Sequence, residues 1–237
     1  MDVITSLSIV AFSALIHASF QLSVSVLMLL GGHALGAKRS SANVTRMTTS
    51  FIIGAGVMTA LLLSFVSLIL LSFFRYEIPE IIWASASGIS IGVAVAVWMF
   101  YYQRGKGTVL WVPRGMAEYL NSRTKATKLS AEAFGLGLSS VFGELLFIIA
   151  PLFVSSLILI QLPPMLQLLG IGIYVFISMI SLIIVWVLIG SGHHISQIQR
   201  WREANKNFLQ FSAGGGLLIL SFMVFAMTIL SNSGGVI

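Results

Sequence analysis

The chain has 237 residues, 57% hydrophobic and only 8% charged, with a mean hydropathy of +1.01. A soluble domain carries about 25% charged residues, so this chain cannot clothe a water-facing surface, and its net charge of +6 needs no nucleic-acid partner to explain it. The absence of cysteine removes disulfides, thiolate catalysis and Cys-based metal sites.

A helix of about 20 mostly apolar residues crosses roughly 30 Å of hydrocarbon. Six stretches meet that length, at about 7–35, 47–74, 80–102, 131–160, 164–190 and 207–231. No basic segment precedes the first span, which is expected to be a retained helix. It carries His17 and Gln21 and ends at Gly31-Gly32 and Gly36. The second span holds Ile53-Gly54-Ala55-Gly56. Pro79 opens the third, where Gly88 and Gly92 form a small-residue face suited to close helix packing.

A basic linker over 104–129 follows, and its segment from Trp111 to Leu120 reads as a short amphipathic helix. It serves either as a tether between two halves or as a gate or lipid-sensing element. Ser130 and Glu132 suit the N-cap and first turn of the fourth span. Farther along, the same span carries Ser140, Glu144 and Pro151, and Pro151 is expected to kink it. Pro163-Pro164 open the fifth span, and Ser212 and Gly216 mark a second small-residue face on the sixth.

The three loops after spans one, three and five contain 12 of the 13 basic residues, leaving Arg75 alone on the other side. The positive-inside rule then places those loops in the cytoplasm and both termini outside. Trp98, Tyr101, Tyr102 and Trp186 are expected in the inner aromatic belt, with Trp83 and Tyr76 in the outer one.

The two halves resemble each other. Ile53-Gly54-Ala55-Gly56 and Ser64 to Ile69 in the second span match Leu169-Gly170-Ile171-Gly172 and Ser178 to Ile183 in the fifth. His17-Ala18-Ser19-Phe20-Gln21 pairs with Ser140-Val141-Phe142-Gly143-Glu144, each carrying polar residues at i and i+4. Three spans per half force opposite orientations, the inverted-repeat plan of many secondary transporters. The expected organisation is a first three-helix repeat over 1–103, the linker over 104–129, and a second repeat over 130–237.

Glu144 is the one acidic residue inside an apolar run. A carboxylate there costs roughly 2.5–3.5 kcal/mol on insertion scales, which makes it a functional-site candidate. Counting from Ser130 puts it about 21 Å along its helix, near the bilayer middle. With His17, Gln21 and Ser140 it forms the expected substrate- or proton-binding set. The competing reading is that these residues are hydrogen-bonding glue between helices, at about 0.6 kcal/mol per contact. His33, His193 and His194 sit at span ends without the three or four converging ligands that a metal needs. No metal, cofactor or catalytic group is expected.

Ala133-Phe134-Gly135-Leu136-Gly137, with Gly143 in register, resembles the corresponding helix of the cytochrome c biogenesis transmembrane proteins. These CcdA/DsbD-like thiol-reductant carriers are related to the LysE exporter superfamily. The resemblance implies a six-helix membrane scaffold with an inverted 3+3 repeat and a cytoplasmic middle loop. The family's two cysteine positions are Ala18 and Val141 here, so its disulfide exchange is excluded, and the resemblance then implies transport. The expected protein is a multi-pass transporter of a small solute or cation in the plasma or inner membrane, proton-coupled through Glu144. Its partners are the lipid bilayer and a small-molecule or ion substrate, and a homo-oligomer is compatible with this reading. The alternative is a non-transporting scaffold or accessory subunit.

Overall fold

The computed structural model describes residues 2–20, 22–36, 41–74, 77–101, 114–191 and 194–230. Among these, every regular element is a helix. In chain order they are α1 (Val3–Ala18), α2 (Leu22–Gly36), α3 (Ser41–Phe74), α4 (Glu80–Ala96), α5 (Arg114–Ala126) and α6 (Ser130–Gly143). Then come α7 (Leu145–Leu159), α8 (Pro164–Ser178), α9 (Ile180–Gly190), α10 (Ile195–Ala204) and α11 (Lys206–Phe225). Both α4 and α11 continue into a π-helical turn, Val97–Tyr101 and Ala226–Leu230 respectively.

Three helices are unbroken, apolar and long enough to cross a membrane: Ala42–Phe74, Glu80–Phe100 and Lys206–Thr228. The other three apolar stretches are bent pairs, with 49° between α1 and α2, 80° between α6 and α7, and 45° between α8 and α9. Counting each pair as one span gives six. Large apolar side chains such as Phe65, Phe73, Met165 and Phe222 are exposed on the outside, as a lipid-facing surface requires. In contrast, α7 is apolar on every side and buried along most of its length, the pattern of a helix enclosed by others.

Pro151 does not set the largest bend. It sits within α7, and the chain turns seven residues earlier, at Gly143-Glu144. The cause is the partner that Glu144 finds on α2, described below. Gly143 makes room at the same point: a Cβ there would meet Leu22, Met116 and Leu120 at 3.0–3.6 Å. These last two lie on α5, so the amphipathic helix packs against the α6–α7 break.

The tightest helix crossing joins α3 to α6. A Cβ on Gly54 would collide with the Phe134 carbonyl, and one on Gly137 with the Phe51 carbonyl. Gly88 and Gly92, expected to form a seam, have nothing within 4 Å of where a Cβ would be. Helix α4 instead meets α11 through Ser87 and Ser221. The Ser221 hydroxyl donates to the Ser87 carbonyl at 3.0 Å, and the Ser87 hydroxyl reciprocates at 3.4 Å. Farther along this pair, Gln210 Nε2 donates to the Val97 and Trp98 carbonyls at 2.6 and 2.8 Å, while Trp98 stacks on Phe211. Those carbonyls belong to the π-turn, where the regular ladder is disturbed. Trp83, expected in the outer belt, is buried in the core.

Helix α6 opens on Leu129 rather than on Ser130, which is the first helical residue. Glu132 reaches back and accepts from the Lys128 and Leu129 amides at 2.6 and 3.1 Å. Glu132→Ala removes the acceptor for both amides and is expected to cost the stability that such a cap usually contributes, read as a lower melting temperature; an unchanged melting temperature contradicts it.

Candidate functional site

The three breaks face one another. A small cavity is lined by His17, Ala18, Phe20, Ser23 and Val24 from the first break, and by Val141 and Glu144 from the second. The third supplies Ser178, Met179, Ser181 and Leu182. Glu144 and Met179 leave their helices with nearly identical backbones, at φ −86°, ψ −5° and φ −85°, ψ −3°. This is the sparsely populated bridge region, where many active-site residues sit. The broken ends bring polar backbone to the depth of the cavity, an arrangement tolerated in a membrane only where protein or a lined cavity surrounds it.

Each polar side chain follows from its place at a helix end. Glu144 is 3% exposed and sits at the start of α2. Its Oε1 accepts from the Ser23 amide at 2.8 Å and its Oε2 from the Ser23 hydroxyl at 3.1 Å. The first amides of a helix have no partner within it and carry its positive dipole end, so a carboxylate is the natural cap. His17, also 3% exposed, closes α1. Its Nδ1 lies 3.2 Å from the Tyr174 hydroxyl on α8, leaving Nε2 as the other polar ring atom. The Ser181 hydroxyl donates to the Ala18 carbonyl at 2.5 Å, satisfying the end of α1 from the start of α9.

Arg202 looked in the sequence like one more loop cation. It lies on α10, is 2% exposed, and donates through Nη2 to the Ser25 hydroxyl at 3.0 Å. It also acts electrostatically on Glu144. Beside it, a mostly apolar cavity of about 170 Å³ runs between α2, α9, α10 and α11 and shares Val24 and Ser181 with the cavity at the breaks.

Of the four expected site residues, the structure brings His17 and Glu144 to one cavity. Ser140 is fully buried but turns back to donate to the Gly137 carbonyl at 2.8 Å. Gln21 lies outside the described residues, as does His193, and His33 and His194 are exposed at helix ends. Among the described residues, no group of three His, Asp or Glu side chains is placed to hold a metal ion.

No protein-family model, curated protein or solved structure matches this chain. The site must be read from its own chemistry.

Sequence reasoning missed Tyr174, Ser23, Ser178, Ser181 and Arg202. A usable signal existed for two of them: Ser178-Met179-Ile180-Ser181 already stood out as half of a repeated string. Nothing in the sequence singled out Ser23, which enters through its backbone amide as much as its hydroxyl. Nor did anything in the sequence single out Tyr174.

Proposed function

We propose that the protein is a multi-pass transporter of a small solute or cation, with its site at the cavity where the three broken spans meet. The observation that carries this reading is that convergence around a buried carboxylate. Discontinuous helices whose ends surround a midplane site are the recurring construction of secondary transporters. In this reading the 1–103 and 130–237 segments are inverted repeats and both termini lie outside the plasma or inner membrane. The loop charges support that orientation. The repeat draws support from breaks at aligned places in spans one and four and from the reciprocal Ser87–Ser221 pair. The unbroken α3 opposite the bent α8–α9 pair marks where the halves differ. The relation to CcdA/DsbD-like and LysE-type proteins rests on the Ala133 to Gly137 string, which leads into the largest bend.

The cavity measures about 10 Å³, on a scale where one water needs roughly 10–15 Å³. A transporter in this conformation has room for about one water at the site, and larger cargo requires the site to widen. The second reading, a non-transporting scaffold, is favoured by one observation: both Glu144 oxygens accept from Ser23, so the carboxyl already serves as an anchor for α2.

A thermal-shift screen of amino acids, organic ions and metal salts on purified protein separates the two, followed by flux of any hit in proteoliposomes. The transporter reading expects a ligand that raises the melting temperature of wild type but not of Glu144→Gln, and that crosses only wild-type vesicles. If no compound shifts the protein and none is carried, the scaffold reading stands instead.

A further inference from the structure

We infer that this cavity holds one water joining His17 to Glu144, and that a proton passes between Glu144 and His17 across this water while Tyr174 holds the imidazole in place. The inference rests on the transport reading of this site and names the ion that the site handles.

Three observations carry it. First, the cavity takes about one water by volume, and its wall is polar enough to hold it. His17, Ser23, Glu144, Ser178 and Ser181 all line it. The Ser178 and Ser181 hydroxyls give their hydrogens to the Val175 and Ala18 carbonyls, so their oxygens still have lone pairs to accept from a water. Second, both Glu144 oxygens already face hydrogen donors on Ser23. An alkali cation in their place would meet N–H and O–H groups, whereas water can donate and accept. Third, the far side of His17 ends on the Tyr174 hydroxyl, fully buried and 3.2 Å from Nδ1. A phenol can donate or accept, so it stays paired with Nδ1 whichever ring nitrogen holds the hydrogen.

The transfer balances. The Glu144 carboxylic acid gives its proton to the water, and the water gives one of its own to His17 Nε2. Glu144 is left a carboxylate on the α2 amides, and His17 becomes an imidazolium whose Nδ1–H donates to Tyr174. The ionisable groups around this exchange are His17 on α1, Glu144 at the α6–α7 break and Tyr174 on α8. Arg202 on α10 acts on Glu144 electrostatically. Tyr174 is a positioning residue, acting through the imidazole.

Infrared difference spectroscopy on the intact, detergent-solubilised chain, stepped in pH, reads the relay without any substrate. The expected result is a carboxylic-acid band that is absent in Glu144→Gln and displaced in frequency and in titration midpoint by Tyr174→Phe and by His17→Gln. Both of the latter variants keep Glu144 in place, so the result does not depend on the Glu144 variant folding. In proteoliposomes loaded with a pH-sensitive dye, Tyr174→Phe is expected to slow proton entry by about 10-fold, the loss of one positioning hydrogen bond. The relay is overturned by a missing band, by a band indifferent to both substitutions, or by one that follows Na⁺ concentration, which would put a cation in the cavity. A coupled band in a protein that carries no solute leaves the relay standing and sinks the transporter. Solute flux with an uncoupled band does the reverse.

Discussion

Gly54→Ala and Gly137→Ala are each expected to destabilise the protein strongly, and leucine at either position to abolish recovery of a monodisperse species. Alanine inside a helix ordinarily stabilises by about 1 kcal/mol over glycine, so the expected sign is opposite to the propensity. The reason is contact between backbones. The added methyl at either site would run into a carbonyl of the facing helix, Phe134 or Phe51, and main chain cannot swing aside as a side-chain end does. Overpacking typically costs about 1–3 kcal/mol, and here α3 and α6 would have to part along their whole crossing. Gly88→Ala and Gly92→Ala are the controls, since nothing stands near either position, and both should be neutral or stabilising. Melting followed by size-exclusion chromatography in one detergent ranks the four. Equal effects at all four sites would mean that the α3–α6 crossing is not the tight contact.

The second large effect concerns Glu144. Glu144→Leu keeps much of the volume but leaves the Ser23 amide and hydroxyl, now bonded at 2.8 and 3.1 Å, without their acceptor in a buried place. Each orphaned buried group costs about 1–3 kcal/mol. Glu144→Gln retains a carbonyl oxygen for the amide and should lose no more than about 1 kcal/mol, the worth of an ordinary hydrogen bond. Thermal and denaturant unfolding should therefore rank wild type above Gln, and Gln well above Leu. This ordering is what allows Glu144→Gln to report on function rather than on folding. Leucine matching glutamine would show that the contact with α2 contributes little to holding the bend.

The helical, membrane-compatible character of the chain was legible in the sequence because it depends on local quantities. Apolar length, Gly and Pro punctuation and the placement of Lys and Arg are read without knowing which helix meets which. The address of Glu144 was legible for the same reason, since a carboxylate in an apolar run is costly wherever the run goes. Where the spans break was not legible. Pro151 was the obvious suspect and stays inside a helix, while the bend falls at Glu144 because its carboxylate binds an amide 121 residues away in the chain. Likewise, the Gly88–Gly92 spacing looked like a packing face and packs against nothing, whereas Gly54 and Gly137, one from each half, meet.

The same division runs through the site. The sequence by itself determined that the chain is apolar enough for a membrane, the number of apolar stretches and two of the groups at the cavity, His17 and Glu144, because burial of a polar residue in an apolar run is a one-dimensional fact. Only the tertiary structure decided that three spans are broken and that their ends converge. It also set Tyr174 behind His17 and turned Ser140 away, towards its own helix. Those outcomes depend on which unpaired amides and carbonyls find partners across the bundle. A pairing of that kind is a property of the packed helices together and is absent from any one of them.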